Sequence, residues 1–215
     1  MARHPSSRMN RSVGRPSTDD VLEIENIILQ IALDEFLERG YGGASLTRIV
    51  EKACISKTTL YSRYGSKKEL FRAIIFHQIN RIDPGSLLRL DSKDCSLEQG
   101  LQSYANRMLE LNLQGEMHAL NKLINSEAAR FPELGAAAAE RTRLGIARIA
   151  DFIERCAQAE GYRCRNADLV AQAFIMMLRG WYMNILLTNE TITTAKRKKW
   201  VEGVVHILLA DKKNW

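Results

Sequence analysis

Between Ser56 and Leu70 the chain reads SKTTLYSRYGSKKEL. Hydroxyls, cations and aromatics crowd this short segment, and their chemistry has a common target. Lysine and arginine neutralise phosphates, hydroxyls donate to phosphate oxygens, and short threonines reach base edges or a thymine methyl. No acid falls between Ser56 and Lys68, whereas a helix face that is merely solvated interleaves acids with bases at i,i+4 spacing.

Other chemistries find little support in the residue pattern. The chain has no G-x-S-x-G, no H-E-x-x-H and no Gly-rich phosphate loop, and its four histidines, His4, His77, His118 and His206, stand far apart. No catalytic constellation is therefore expected, and no cofactor or metal. Cys54, Cys95, Cys156 and Cys164 contain no C-x-x-C pair and read as reduced structural thiols, with a redox pairing of Cys156 and Cys164 left open.

The elements that must position the Ser56–Leu70 segment follow from apolar spacing. Ile24, Ile28, Ala32 and Phe36 recur every fourth residue after the capping and acidic cluster Ser17, Thr18, Asp19 and Asp20, which predicts a helix that stops at Gly40. Leu46, Ile49, Val50 and Ala53 predict a short second helix capped by Ser45. Ser56 is placed to cap a third, whose inward residues are Leu60 and Tyr64, and Gly65 ends it. Ser66 and Glu69 have the spacing of a capping box, opening a fourth helix with Leu70, Phe71, Ile74, Ile75, Ile79 and Ile82 on its buried side. After Asp83, Pro84 and Gly85 comes a polar linker, roughly 86–94. Five more helices are expected near 96–114, 116–129, 133–160, 166–188 and 191–210, the first opened by a Ser96/Gln99 capping box.

The expected fold is therefore all-α with about nine helices. A flexible basic arm (1–18) precedes a helix-turn-helix unit (19–65), a connecting helix (66–85) and a larger helical body (86–215). With 215 residues and 46% apolar content, the chain suffices for one large domain or two small ones. Its formal charge of +6 is concentrated: Ser45 to Arg72 holds seven cations against two acids, so 7 − 2 = +5 falls within 28 residues.

Helix, short helix, tight turn and short helix is the arrangement in which the second short helix enters a DNA major groove. Its outward side here carries Lys57, Thr58, Thr59, Tyr61, Ser62 and Arg63. The arm, with Arg8, Arg11 and Arg15, either lies in a minor groove or is an unordered terminus. The richest apolar stretch, AFIMMLRGWYMNILL, is broken by Arg179 and Asn184, and the first sixteen residues lack an apolar core, so neither a membrane span nor a secretory signal is expected and the cytoplasm is the expected location.

The run ILQIALDEFLERGYGGASLTRIVEKACISKTTLYSRYGSKKELFRAI, Ile28 to Ile74, resembles the DNA-binding domain of the TetR family of bacterial transcriptional regulators. The resemblance rests on Phe36, Gly40 and Tyr41, on Ser45 to Val50, on Ser56, Lys57, Thr59, Leu60 and Tyr61, and on Ser66, Lys67, Glu69 and Leu70. It implies that Tyr61, Arg63 and Lys67 approach phosphates, that Thr47 and Arg48 do likewise or read a base, and that Lys57, Thr58 and Thr59 face the groove. Two positions depart from the family pattern: Cys54 stands where glycine is usual in the turn, and Tyr64 replaces phenylalanine, leaving a hydroxyl to be satisfied.

In the body, SEAARFPELG resembles the C-terminal domain of one subgroup of that family. Val170, Phe174, Met177, Trp181 and Ile185 form one apolar stripe, and Val201, Val204, Val205 and Leu208 another. The resemblance implies a homodimer built on the last two helices, with Phe174, Trp181, Val201, Val204, Val205 and Leu208 as candidate interface residues. Tyr104, Met108, Met117, Phe131, Met176 and Met177 could line a cavity for an apolar or amphipathic small molecule, or serve as plain core. The expected function is a regulator of transcription, a repressor released from a palindromic operator by that molecule. The alternatives are a small-molecule-binding helical protein and a non-specific DNA-binding protein.

Overall fold

The computed structural model of the chain describes residues 18–81, 96–161, 163–210 and 212. The basic arm, the polar linker, Ile82 and Cys95 lie outside the described residues, as does the side chain of Ile79. Among the described residues there are nine α-helices and no strand: α1 Thr18–Gly43, α2 Leu46–Lys52, α3 Lys57–Tyr64, α4 Lys67–Arg81, α5 Leu97–Leu113, α6 Gly115–Glu127, α7 Pro132–Ala159, α8 Ala167–Thr188 and α9 Thr194–Leu209.

Local chemistry accounts for most of the boundaries. Gly40 breaks α1 with φ 65° and ψ 173°, a conformation open essentially to glycine alone, and the chain completes one further turn to Gly43. Ser96 and Gln99 form a complete capping box at the start of α5. At Ser66 only half of the expected box is present. Its hydroxyl accepts from the Glu69 amide at 3.1 Å, while the Glu69 carboxylate pairs with Arg72, because a nearby guanidinium outcompetes a backbone amide for a carboxylate. Ser45 is likewise an N-cap by position without a side-chain cap bond.

Two apolar cores form. One, in the body, gathers Leu101, Ala105, Leu109, Ile149, Ile153, Ala171, Phe174, Leu178, Val201 and Val205 from α5, α7, α8 and α9. The other begins in the head, with Ile28, Leu33, Phe36, Ile49, Leu60, Phe71 and Ile75, and is completed by Leu120, Leu123, Phe131 and Leu134 of α6 and the start of α7. The head therefore meets the body across a shared core as well as through α4. Helix α8 is long and apolar enough to cross a bilayer by length and composition, but 44% of its most apolar stretch is buried inside the protein. Cys156 and Cys164 are half-buried and pack against the body core.

Candidate functional site

Helix α3 is held by one buried leucine and a well-made cap. Leu60 is sealed in the head core. Ser56 Oγ accepts from the Thr59 amide at 3.0 Å, and the Ser56 and Thr59 hydroxyls bond each other at 2.8 Å. Thr59 is consequently half-buried and engaged in the cap, leaving Lys57, Thr58, Tyr61 and Arg63 as the exposed face, joined by Thr47 at the start of α2. Tyr61 is 48% exposed, unusual for so large an aromatic without a partner. No acid lies on α3.

The turn before α3 closes α2 by a pair of backbone bonds. Ile55 N–H donates to the Val50 carbonyl at 3.1 Å and Cys54 N–H to the Glu51 carbonyl at 3.3 Å, the Schellman pattern, with Ile55 and Val50 supplying its apolar contact. That pattern demands a left-handed residue, and Cys54 takes it at φ 53°. The departure from glycine is thus accommodated as strain, since a side chain in this region costs roughly 1–2 kcal/mol.

Behind the exposed face lies a buried carboxylate that apolar spacing does not reveal. Glu35 of α1 is completely buried. Its Oε1 accepts from Arg48 Nε at 2.8 Å and from the Ser45 amide at 3.1 Å, and Lys52 Nζ stands 3.7 Å from Oε2. The Arg48 hydrogen bond holds this carboxyl below its ordinary value, although burial opposes it, and the Ser45 amide adds to the lowering. Arg48 also donates to the Gly43 carbonyl at 2.7 Å, so its guanidinium ties α1 to α2 instead of standing free on the surface.

Lys67 is similarly engaged. Its Nζ donates to the Gly42 carbonyl at 3.1 Å and lies 5.0 Å above the Tyr41 ring, with the Arg130 guanidinium 5.1 Å from the same ring. Burial, followed by the Arg130 charge, lowers the Lys67 ammonium below its usual range. Tyr64 turns inward as expected. The Glu25 carboxylate is near enough to act on its hydroxyl without hydrogen-bond geometry, and burial first, then that charge, push the phenol to about 12.

A cavity of about 330 Å³ opens in the body, bounded by α5, α6, α7 and α8 and reached by Gln78 of α4. Tyr104, Met108 and Met117 line it. The other three candidates do not. Phe131 is the N-cap residue of α7, fully buried in the head core between Tyr41 and Phe71, with ring centroids at 5.0 and 4.9 Å. Met176 faces outward, 44% exposed, and Met177 packs against the body core.

The candidate interface residues also divide. Phe174, Val201, Val204 and Val205 are sealed inside the protomer's own core, while Trp181 and Leu208 are half-buried at its edge. Trp181 stacks on Trp200, centroids 4.3 Å apart and planes within 7°. Apolar side chains left outside are Leu169, Met176 and Leu187 of α8 and Ile207 of α9. At 100° per residue Leu169, Met176 and Leu187 share almost one azimuth, with Ala173 and Gly180 beside them. The stripe found by period alone runs along the core side and its edge, with Met177 and Trp181 half-buried; the outward stripe lies about 120° round the helix from it.

Comparison with known proteins converges on one family. Residues 28–74 match the family model for bacterial regulatory proteins of the TetR family, and residues 99–211 match that for the C-terminal domain of AefR-like transcriptional repressors. The HTH-type transcriptional repressor ComR of Escherichia coli is 30% identical over 104 residues, 48% of each chain. The HTH-type transcriptional activator FasR of Mycolicibacterium smegmatis is 22% identical over 138 residues, 64% of this chain and 62% of that protein. The chain thus matches these two relatives over less than two thirds of their length. A TetR-family regulator from Mesorhizobium loti has a crystal structure that superposes with a TM-score of 0.74 at 28% identity, covering 88% of this chain and 96% of that one. Since the second of the two family models alone takes in more than half of the sequence, the chain belongs to the TetR family of bacterial transcriptional regulators.

Proposed function

We propose that this protein is a sequence-specific DNA-binding regulator, a cytoplasmic homodimer that holds a palindromic operator until a small molecule enters the body cavity and releases it. The observation that carries the reading is the outward face of α3. Lys57, Thr58, Tyr61 and Arg63 are exposed together on a helix without an acid, while Leu60 locks that helix to the head. Such a surface suits a polyanion read from its groove. Thr58 is the candidate base reader; Tyr61, Arg63, Lys57 and Thr47 are the candidate phosphate contacts. Thr59 acts through the cap, and Arg48 and Lys67 first hold the head together, adding positive potential near the backbone of the DNA.

Dimerisation is assigned to the outward stripe of α8 with Ile207 of α9, since an exposed apolar stripe of this length is the expected mark of an interface. Signal transfer is assigned to two routes from cavity to head, Gln78 on α4 and the Phe131 plug between α6 and α7. An effector moves the DNA equilibrium only by its preference for one spacing of the two heads.

The test is a selection from fragmented genomic DNA, including the segments flanking the gene, followed by salt-dependent binding curves. Tyr61→Ala and Arg63→Ala are expected to weaken all sequences alike, Arg63→Ala also lowering the salt slope by about 1, while Thr58→Ala changes sequence preference at about 1–3 kcal/mol. Sequence-indifferent binding would instead favour a non-specific DNA-binding protein.

A further inference from the structure

We infer that the body cavity binds a small amphipathic anion, its carboxylate or phosphate head held by Arg179 and Tyr182; the inference rests on reading this cavity as the effector site. Two guanidiniums, Arg141 and Arg179, line the cavity, and no Asp or Glu does among its described lining residues. A cationic ligand would therefore enter against the field, and an anion with it.

The polar end of the cavity is built for an acceptor. Thr142 spends its own proton on the Ala138 carbonyl at 2.9 Å and accepts from Arg179 Nη1 at 2.5 Å. That bond fixes one arm of the guanidinium on a neutral group and leaves the rest of its planar donor fork for a ligand. One turn along the same face of α8, Tyr182 is 9% exposed and its hydroxyl has no hydrogen-bond partner among the described residues. A buried hydroxyl in that state is costly unless something accepts from it; it is sealed from solvent, so an anionic oxygen at Arg179 reaches it by a local shift of the cavity wall.

Three asparagines of the wall are already engaged internally. Asn121 Nδ2 donates to Asn112 Oδ1 at 3.0 Å, Asn112 donates to the Met108 carbonyl at 2.7 Å, and Asn125 donates to the Asn121 carbonyl at 2.7 Å. Besides Gln78, Tyr104 and the two arginines, the remaining wall is mainly apolar, with Met108, Met117, Leu120, Ile124 and Ile175. At about 330 Å³ the cavity lies at the lower end of the roughly 300–1,000 Å³ of small-molecule sites.

A set matched in its nine-carbon tail decides the matter: nonanoate, nonyl phosphate, nonanol and nonylamine, each titrated calorimetrically into the full-length protein without DNA. Nonanoate or nonyl phosphate is expected to bind at least about tenfold more tightly than nonanol and nonylamine, as a charge-assisted pair warrants. Whichever of the two binds better separates carboxylate from phosphate. Arg179→Gln should abolish the preference with the alcohol affinity unchanged, Arg179→Lys should retain part of it, and Tyr182→Phe should lower anion affinity severalfold. Equal binding of the set, preference for the amine, an anion preference indifferent to Arg179→Gln, or no binding by any member overturns the inference. Operator binding is measured separately. Loss of anion binding with operator binding intact refutes this inference alone, whereas anion binding that never alters operator affinity refutes the effector reading of the cavity.

Discussion

Cys54 and Glu35 show how single residues set the limits of the head. Cys54 occupies the left-handed position of a Schellman turn, at φ 53°, where glycine has no side chain to strain and β-branching is worst. Cys54→Val is expected to lower head stability by about 1–2 kcal/mol. Cys54→Gly should leave it equal or slightly raised, the relieved strain being offset by a more flexible unfolded chain; urea denaturation followed by circular dichroism distinguishes the two. For Glu35 the sign of the pH effect follows from its depressed pKa. Such a carboxyl contributes stability above its unfolded value, 4.5, and that contribution disappears as pH falls through the lower folded value. The melting temperature should therefore drop below about pH 4.5, and Glu35→Gln, at a cost of about 1–3 kcal/mol at neutral pH, should flatten that acid limb. An acid-limb slope identical in wild type and variant would remove Glu35 from this role. Cys54 was visible in the sequence as a departure from glycine. Glu35 was not, because its partners Ser45, Arg48 and Lys52 lie ten to seventeen residues away.

Among the elements, the connection between α6 and α7 joins two cavity-lining helices to the head core. Phe131 follows α6, is fully buried, and touches Tyr41 of α1 and Phe71 of α4; Arg130 and Glu133 on either side contact Tyr41 and Arg72. Both flanking helices also line the cavity. Phe131→Ala is expected to destabilise the protein by about 3–5 kcal/mol, and Phe131→Leu, which keeps much of the volume, by less. If Phe131 carries the signal, the leucine variant should bind operator normally while effector-driven release is blunted; full release in that variant would leave α4 as the route. Apolar character marked Phe131 as inward, and the choice between cavity wall and head core depended on how α6 and α7 cross.

At the scale of the whole molecule, the outward stripe of α8 is the proposed dimer interface. Met176→Glu places a charge at the centre of the stripe Leu169, Met176 and Leu187, where burying it against a second copy is costly. Light scattering should show monomer at micromolar concentration, and operator affinity should fall more than about tenfold because two tethered heads bind as one unit. Leu111→Glu, at an exposed leucine of α5, is the control expected to leave the dimer intact. A Met176→Glu protein that stays dimeric would move the interface elsewhere.

Helix existence and order, and the caps at Ser56 and Ser96 though not the one at Ser45 or the full box at Ser66, were legible from sequence because they depend on neighbours within four residues: Leu60 at the right spacing, Ser56 and Ser96 before their helices, Gly40 and Gly65 where the chain must adopt positive φ. The cationic, acid-free character of α3 was legible for the same reason. What needed the folded molecule was the assignment of each apolar or polar side chain to a particular neighbour. Phe174 and Met176 are two residues apart and equally apolar, yet one is core and the other surface. Thr58 and Thr59 are adjacent, yet one is free to meet DNA and the other is bound to its own cap. Arg179 looked like an interruption in an apolar helix until Thr142 and Tyr182 placed it in a cavity wall. Periodicity tells which side of a helix is apolar; only the packing of helices far apart in sequence determines what that side faces.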